Sequence, residues 1–344
     1  MKRPKLLALL IVVGSMLLVS FSFYAYQMVY TPNVLTDQSD RILLIPTEAT
    51  FDEIQDRLHE EDYVKDLLSF SVLAKVMEYD QYLKPGRYLL KADMSNLAAI
   101  RQLRSGRQEP VNVTFNNVRL KPELAQRLCE NLEADEEVFL ALLNNENFVK
   151  EYGFTTENIM AMFLPNTYQF YWTTSAEELF ERFYQEYENF WSEQRANQAD
   201  SLNMTPREVS ILASIVESET NKPDEAPKVA GLYLNRLQRN IALQADPTLV
   251  YAAGDFTIKR VLNKHKEIDS PYNTYRYTGL PPGPIRVPSI SAIDAVLNYE
   301  DHNYLYMCAK EDFSGYHNFA TNLTAHLANA RRYQRALGQA GIYN

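Results

Sequence analysis

The sequence predicts an α+β protein made of a single N-terminal transmembrane helix, a small α/β module and a larger α+β domain. Three observations carry that reading. An uncharged apolar run fills residues 6–28 behind a basic flank, strand and capped-helix signals alternate over residues 41–108, and longer helical periodicities follow a strand signal near Val111. A chain of 344 residues accommodates an anchor and two folded units.

The apolar run follows Lys2, Arg3 and Lys5. It is long enough to cross a bilayer, and a positive flank stays on the cytoplasmic side, so everything after Tyr30 is expected outside. A cleaved secretory signal is the competing reading, against which stand the length of the run and the lack of a small-x-small cleavage site after it. Both readings export the remainder. Residues 1–30 are thus read as stub and anchor, and the polar residues 31–40, with Pro32, as a short tether.

The module over residues 41–108 begins with a strand at 42–45. Thr50 and Glu53 form a capping box ahead of a helix whose inner face is Phe51, Ile54 and Leu58. Lys84-Pro85-Gly86 turns the chain into a strand at 87–90, and Ser95 caps a helix carrying Leu97, Ile100 and Leu103 that stops at Gly106. The larger domain, residues 109–344, opens on the alternation Val111, Val113, Phe115 and continues with helical stretches over 123–132 and 176–195. Residues 270–288 are dense in Pro and Gly, and a loop of that length in a compact domain is expected to be structured and functional.

Composition removes several classes. A formal net charge of -10 with dispersed Lys and Arg leaves no basic stripe for nucleic acid. Cys129 and Cys308 form no metal spacing and read as small hydrophobes, with a disulfide as the lesser alternative. His317 and His326 follow no ligand spacing either, so no metal or other cofactor is expected.

The best-specified helix start is Thr205-Pro206-Arg207-Glu208, which combines an N-cap, a first-turn proline and a capping-box carboxylate. Residues 209–216 are apolar or small all round, as in a helix running through an interior, and that run ends on Glu217. A carboxyl at such a place loses hydration, so its pKa is expected to rise and suit a general acid; a structural pairing with a nearby Arg or Lys is the alternative. Glu219 stands about 200° around the helix and is not expected to share a face with it.

From this helix onward the chain resembles the endolytic murein transglycosylase family (MltG/YceG-like). The segments that carry the resemblance are Leu212-Ala-Ser-Ile-Val-Glu217-Ser-Glu219, Leu232-Tyr-Leu-Asn-Arg-Leu237, Leu243-Gln-Ala-Asp-Pro-Thr-Leu-Val-Tyr251, Tyr272-Asn-Thr-Tyr275, Gly279-Leu-Pro-Pro-Gly-Pro-Ile285 and Gly315-Tyr-His-Asn-Phe319. Phe163-Leu-Pro-Asn-Thr-Tyr168 looks like a further motif, and Leu83-Lys-Pro-Gly-Arg-Tyr88 fits the family's LysM-like module. The chain departs from the usual pattern at Met160, Ala161, Asn166 and the loop Arg286-Val-Pro-Ser289, changes that are expected to leave the surroundings of Glu217 intact.

The resemblance implies a lyase that cuts the MurNAc-GlcNAc bond of nascent peptidoglycan strands and leaves 1,6-anhydro-MurNAc ends. It puts the catalytic acid and base on Glu217 and a substrate cleft on Gln244, Asp246, Thr248, Asn273, Thr274, Tyr275 and His317. By residue chemistry alone, each polar group in that set could equally build turns, and Asp246-Pro247 is an ordinary helix start. Tyr233, Tyr251 and Tyr277 could stack on sugars or pack the core. The implied location is the inner membrane with the catalytic domain outside, and the implied partners are glycan strands and the cell-wall synthesis or division machinery. Two rivals remain: a non-catalytic peptidoglycan-binding scaffold protein, and a water-using muramidase, which needs a second carboxylate such as Asp246 or Asp224.

Overall fold

The structure, a computed structural model, describes residues 3–341. Lys2 of the basic flank lies outside the described residues. The chain forms two compact units: one holds the residues up to Asn112 with Asn131–Glu133 and Gln169–Thr174, the other Val113–Glu130, Ala134–Tyr168 and the residues from Ser175 onward. Among the described residues the strands pair in twos.

The first unit runs α1 (Arg3–Tyr30), β1 (Pro32–Val34), β2 (Arg41–Ile45), α2 (Phe51–Glu60), α3 (Leu67–Val76), β3 (Gly86–Leu90), β4 (Met94–Ser95) and α4 (Asn96–Ser105). Helix α1 is long and apolar enough to cross a membrane. The capping box of α2 forms in both directions, with Glu53 Oε2 accepting from Thr50 N at 2.7 Å and Thr50 Oγ1 from Glu53 N at 3.3 Å. Phe51, Ile54 and Leu58 point into the core as their spacing predicts. Strands β2 and β3 pair antiparallel, and Gly106, in the left-handed region at φ 72°, ends α4. Helix α3 leaves no period in the sequence because it is apolar nearly all round.

Within residues 31–40, expected as a tether, Asn33, Val34 and Leu35 are buried and residues 37–40 are exposed. β1 pairs with β4, and Val34 and Leu35 are fully buried. The polar appearance of the segment misleads because Asn33 is consumed internally: it donates to Asn96 Oδ1 at 2.7 Å and accepts from Asp66 N at 2.8 Å. The chain therefore passes from α1 straight into packed structure.

β5 (Val111–Thr114) leads to the second unit, which contains α5 (Lys121–Cys129), α6 (Glu136–Asn144), α7 (Glu146–Glu151), the strand β6 (Thr167–Phe170) at its margin, α8 (Ala176–Phe190), α9 (Glu193–Ser201) and α10 (Pro206–Glu219). There follow α11 (Ala226–Gln238), α12 (Asp246–Ala253), α13 (Asn263–Lys266), α14 (Ile290–Leu297), β7 (Tyr306–Ala309), β8 (His317–Ala320) and α15 (Leu323–Gln339). The helix expected over 176–195 breaks after Phe190, where Trp191 leaves the helical path and buries its ring. The cysteines are unpaired; burial pushes the Cys129 thiol up to about 11.

Helix α10 is the centre of this unit. Its capping box forms, with Thr205 N donating to Glu208 Oε2 at 2.7 Å. Every residue from Val209 to Val216 is buried against α11, α12 and α14. Each of its Val, Leu and Ile side chains contributes about 1.5–3 kcal/mol by leaving water. The helix runs on to Glu219 instead of ending at Glu217.

The Pro- and Gly-rich segment between α13 and α14 has no regular structure yet buries Asn273, Thr274, Ile285 and Val287. Its close packing explains Gly283: a Cβ there would lie 1.9 Å from the Glu157 carbonyl oxygen. Gly283→Ala should therefore cost about 1–3 kcal/mol by overpacking, read as a lower urea midpoint.

Candidate active site

Glu217 sits on the last turns of α10 at the edge of a cleft of about 1000 Å³. Its carboxylate is held from one side. Oε2 accepts from Ser289 N at 3.1 Å and pairs with Arg286 Nε at 3.4 Å. One turn earlier on the same face, Ser214 Oγ accepts from Ile285 N at 3.1 Å, so α10 grips the loop at two points. Arg286 is itself fixed by a 2.6 Å bond from Nη2 to Asn117 Oδ1. No group among the described residues bonds Oε1, which is left to the cleft.

This corrects two expectations. The loop 286–289, whose departures from the family pattern were expected to leave the surroundings of Glu217 intact, supplies both of its partners. The structural pairing with an Arg, offered as the alternative to catalysis, exists alongside the cleft rather than instead of it.

The burial-raised carboxyl on this helix is Glu219. Desolvation pushes its pKa up to about 7, helped by the charge of Asp246 and opposed by the Tyr233 hydroxyl, which donates to Oε1 at 2.9 Å. Glu219 also lines the cleft that Glu217 lines, although the two are far apart around the helix. The cleft is lined by Glu217, Ser218, Glu219 and Asn221 and so crosses the helix end, where angular separation no longer divides faces.

A pH dependence follows. A carboxyl whose folded pKa is raised binds its proton more tightly in the native state, so the associated stability is complete below about 4.5 and is lost as pH climbs through about 7. Chemical unfolding of the native chain against Glu219→Gln from pH 4.5 to 8 should show the variant gaining about 2–3 kcal/mol relative to the native chain, most of it between pH 5 and 7.

Glu219 and Asp246 also line an adjoining cavity of about 320 Å³, together with Tyr233, Arg236, Gln244, Tyr275 and His317. Asp246 is the first residue of α12 and accepts from the Tyr275 hydroxyl at 2.5 Å. Gln244 holds a left-handed backbone, φ 52°, and its Oε1 accepts from Arg236 Nη1 at 3.3 Å. His317 presents Nδ1 to Glu225 Oε2 at 2.8 Å, while its backbone N–H donates to Oε1 of the same carboxylate at 2.7 Å. Gln244, Tyr275 and His317 thus gather around Glu219, and only Asp246 among the expected residues joins Glu217 in the larger cleft.

Thr248, Asn273 and Thr274, expected in the substrate cleft, are buried and bonded within the protein. Asn273 is fully buried; its amide donates to the Lys266 and Ile268 carbonyls, and Oδ1 accepts from Tyr275 N at 3.0 Å. Thr274 Oγ1 accepts from Ala245 N at 3.1 Å and meets Thr248 Oγ1 at 2.8 Å. These bonds use the whole Asn273 amide and fix the chain on either side of Gln244. Gly279, Leu280, Pro281 and Pro282 line a separate groove of about 780 Å³ with Met204 and Ile211.

The walls of the larger cleft combine Arg119, Lys259, Arg260 and Arg286 with Tyr251, Phe256, Phe313 and Tyr333. Cations, rings and an acidic floor suit a long polar ligand that carries both flat faces and carboxylates.

Such a cleft, with acidic side chains at the end of a buried helix, defines a carboxylate-bearing site on a mixed α/β scaffold. The YceG-like family profile matches residues 43–332, and the chain belongs to that family. It is 29% identical over 284 residues to the endolytic murein transglycosylase of Bacillus subtilis, covering 78% of each chain. It is 28% identical over 327 residues to the endolytic murein transglycosylase of Streptococcus pneumoniae, covering 85% of this chain and 59% of that relative's length. The crystal structure of a YceG-like protein from Listeria monocytogenes shares the fold, with a TM-score of 0.55 and 24% identity over 84% of this chain and 98% of the other.

Proposed function

We propose that the chain is a peptidoglycan lytic transglycosylase that cuts glycan strands internally, with Glu217 as its acid and base. The observation that carries this reading is the Glu217 carboxyl itself, fixed through Oε2 by Arg286 and Ser289 and open through Oε1 to a cleft large enough for several sugars. The names of the relatives point the same way.

In this mechanism Glu217 protonates the glycosidic oxygen between MurNAc and GlcNAc, and the C1–O bond breaks. The carboxylate then takes the proton of the muramoyl C6 hydroxyl, whose oxygen closes on C1. The proton lost in the first step is regained in the second, no water is consumed, and the product ends in a 1,6-anhydro ring. The cations and rings of the cleft wall are suited to the carboxylates and sugar faces of such a strand. Helix α1 anchors the chain in the cytoplasmic membrane, with everything after Tyr30 outside. Residues 41–108 are the LysM-like module, and the cell-wall synthesis or division machinery supplies the strands.

A water-using muramidase is kept as a second reading because Glu219 and Asp246 line the same cleft as Glu217 and offer the further carboxylate that hydrolysis requires. Digestion of purified peptidoglycan followed by mass spectrometry separates the readings. Anhydro-muramoyl ends, lighter by one water than hydrolysed ends, are expected. Reducing ends would establish the muramidase instead, and intact strands the binding scaffold.

A further inference from the structure

Helix α3 has the sequence Leu67-Leu-Ser-Phe-Ser-Val-Leu-Ala-Lys-Val76, in which only two serines and Lys75 are polar. A helix apolar on all sides is ordinarily enclosed. This one is enclosed on one side only: Ser69, Phe70, Leu73 and Ala74 are buried, whereas Leu68 is 68%, Val72 41% and Val76 74% exposed. Positions 68, 72 and 76 are spaced i, i+4, i+8 and form one straight row. Lys75 borders the row, with a stem long enough to carry its charge away from an apolar phase.

The row is joined to the membrane-spanning candidate. Helices α1 and α3 pack together, Met28 and Val29 of α1 sit against the core of the unit, and Asn96 Nδ2 donates to the Met28 carbonyl at 2.9 Å. Tyr24, Tyr26 and Tyr30 are exposed on the final turns of α1, as in the aromatic belts that mark where a helix leaves the hydrocarbon. With 28 residues, α1 is about 42 Å long against a hydrocarbon core of about 30 Å, so its docked end belongs to the interfacial layer. Two of the nearby acidic groups are already engaged: Asp66 caps Ser69 N, and Glu78 faces Arg104 at 3.8 Å.

We infer that α3 lies in the membrane interface beside α1, with Leu68, Val72 and Val76 among the lipid chains, so that the first unit is seated on the bilayer and not suspended from it. The occupant of this surface is lipid, because α3 packs directly on a helix that is long and apolar enough to cross a bilayer. The inference rests on the reading of α1 as a retained anchor.

The test uses the full chain in nanodiscs of phosphatidylethanolamine and phosphatidylglycerol, with Cys129 and Cys308 replaced by Ala. Nitroxides are placed by Leu68→Cys, Val72→Cys or Val76→Cys, with Val12→Cys on α1 as the lipid reference and Glu109→Cys as the water reference. Collisions with oxygen should exceed those with a soluble nickel chelate at all three positions, as at Val12, and the order should reverse at Glu109. A lipid signature at Val12 with a water signature along the row would overturn the inference and leave the anchor standing. Low access to both reagents along the row would also overturn it, in favour of a protein occupant. A water signature at Val12 would remove the anchor reading and the inference together.

Discussion

Glu217→Gln is expected to lower glycan cleavage by about 10²- to 10⁴-fold, the range in which a positioned acid or base contributes. Glutamine keeps the shape and retains an oxygen for the Ser289 N–H, but it can neither donate a proton to a leaving oxygen nor accept one from a hydroxyl. Arg286 loses its ion pair and stays in place through Asn117. The Arg286 and Glu217 side chains are only 16% and 23% exposed, so losing the pair should also cost about 1–3 kcal/mol of stability. The check is the yield of anhydro ends per unit time, measured where unfolding curves show the variant to be fully folded. Activity surviving in Glu217→Gln and vanishing in Glu219→Gln would move the proton chemistry two residues along α10.

That two-residue ambiguity shows where the sequence stops being informative. Caps are local: Thr50 with Glu53 and Thr205 with Glu208 satisfy amides within one turn, so both helix starts were legible as written. Residue chemistry also marked the end of α10 as the place where a carboxyl would be stripped of water, and the core does end at Val216 as the apolar run suggests. Of the two carboxyls that follow, it is Glu219 whose pKa desolvation raises. Arg286 and Ser289 reach Glu217 only through tertiary folding, and no spacing rule relates a loop to a helix that far upstream.

Asn273, Thr274 and Thr248 illustrate a different limit. An amide or hydroxyl that would hold a sugar is the same group that would close a turn, and only the count of internal bonds tells the uses apart. In Asn273 that count is full. Asn33 repeats the point in the first unit, where a polar residue taken as a sign of a tether is the hub of a buried network. Helix α3 fails for a third reason, since a helix that faces protein on one side and an apolar surface on the other shows no amphipathic period at all.

Arg236→Met should destabilise the protein by about 3–5 kcal/mol, the largest loss of stability expected from any single change around the site. The guanidinium is 5% exposed at the residue level, and Nε donates to the Leu305 carbonyl at 2.6 Å. Nη1 donates to the Ala242 and Leu243 carbonyls at 2.8 and 2.9 Å and to Gln244 Oε1. Every one of these acceptors is uncharged; burial pulls the arginine pKa down, and the carbonyl dipoles are what keep the charge tolerable. Methionine fills the space but leaves several buried carbonyls without a donor, at about 1–3 kcal/mol for each that water cannot reach. The same bonds hold Gln244 in its left-handed conformation and join the end of α11 to the segment before β7. Their loss should therefore also loosen the cavity beside Glu219. Arg236→Lys should recover part of the stability, since an ammonium reaches some of these oxygens but lacks the planar fork that reaches all of them. Urea unfolding of the three proteins should give midpoints in the order Arg, Lys, Met; a Met variant as stable as the native chain would mean that water replaces the guanidinium and that these bonds do not anchor the site.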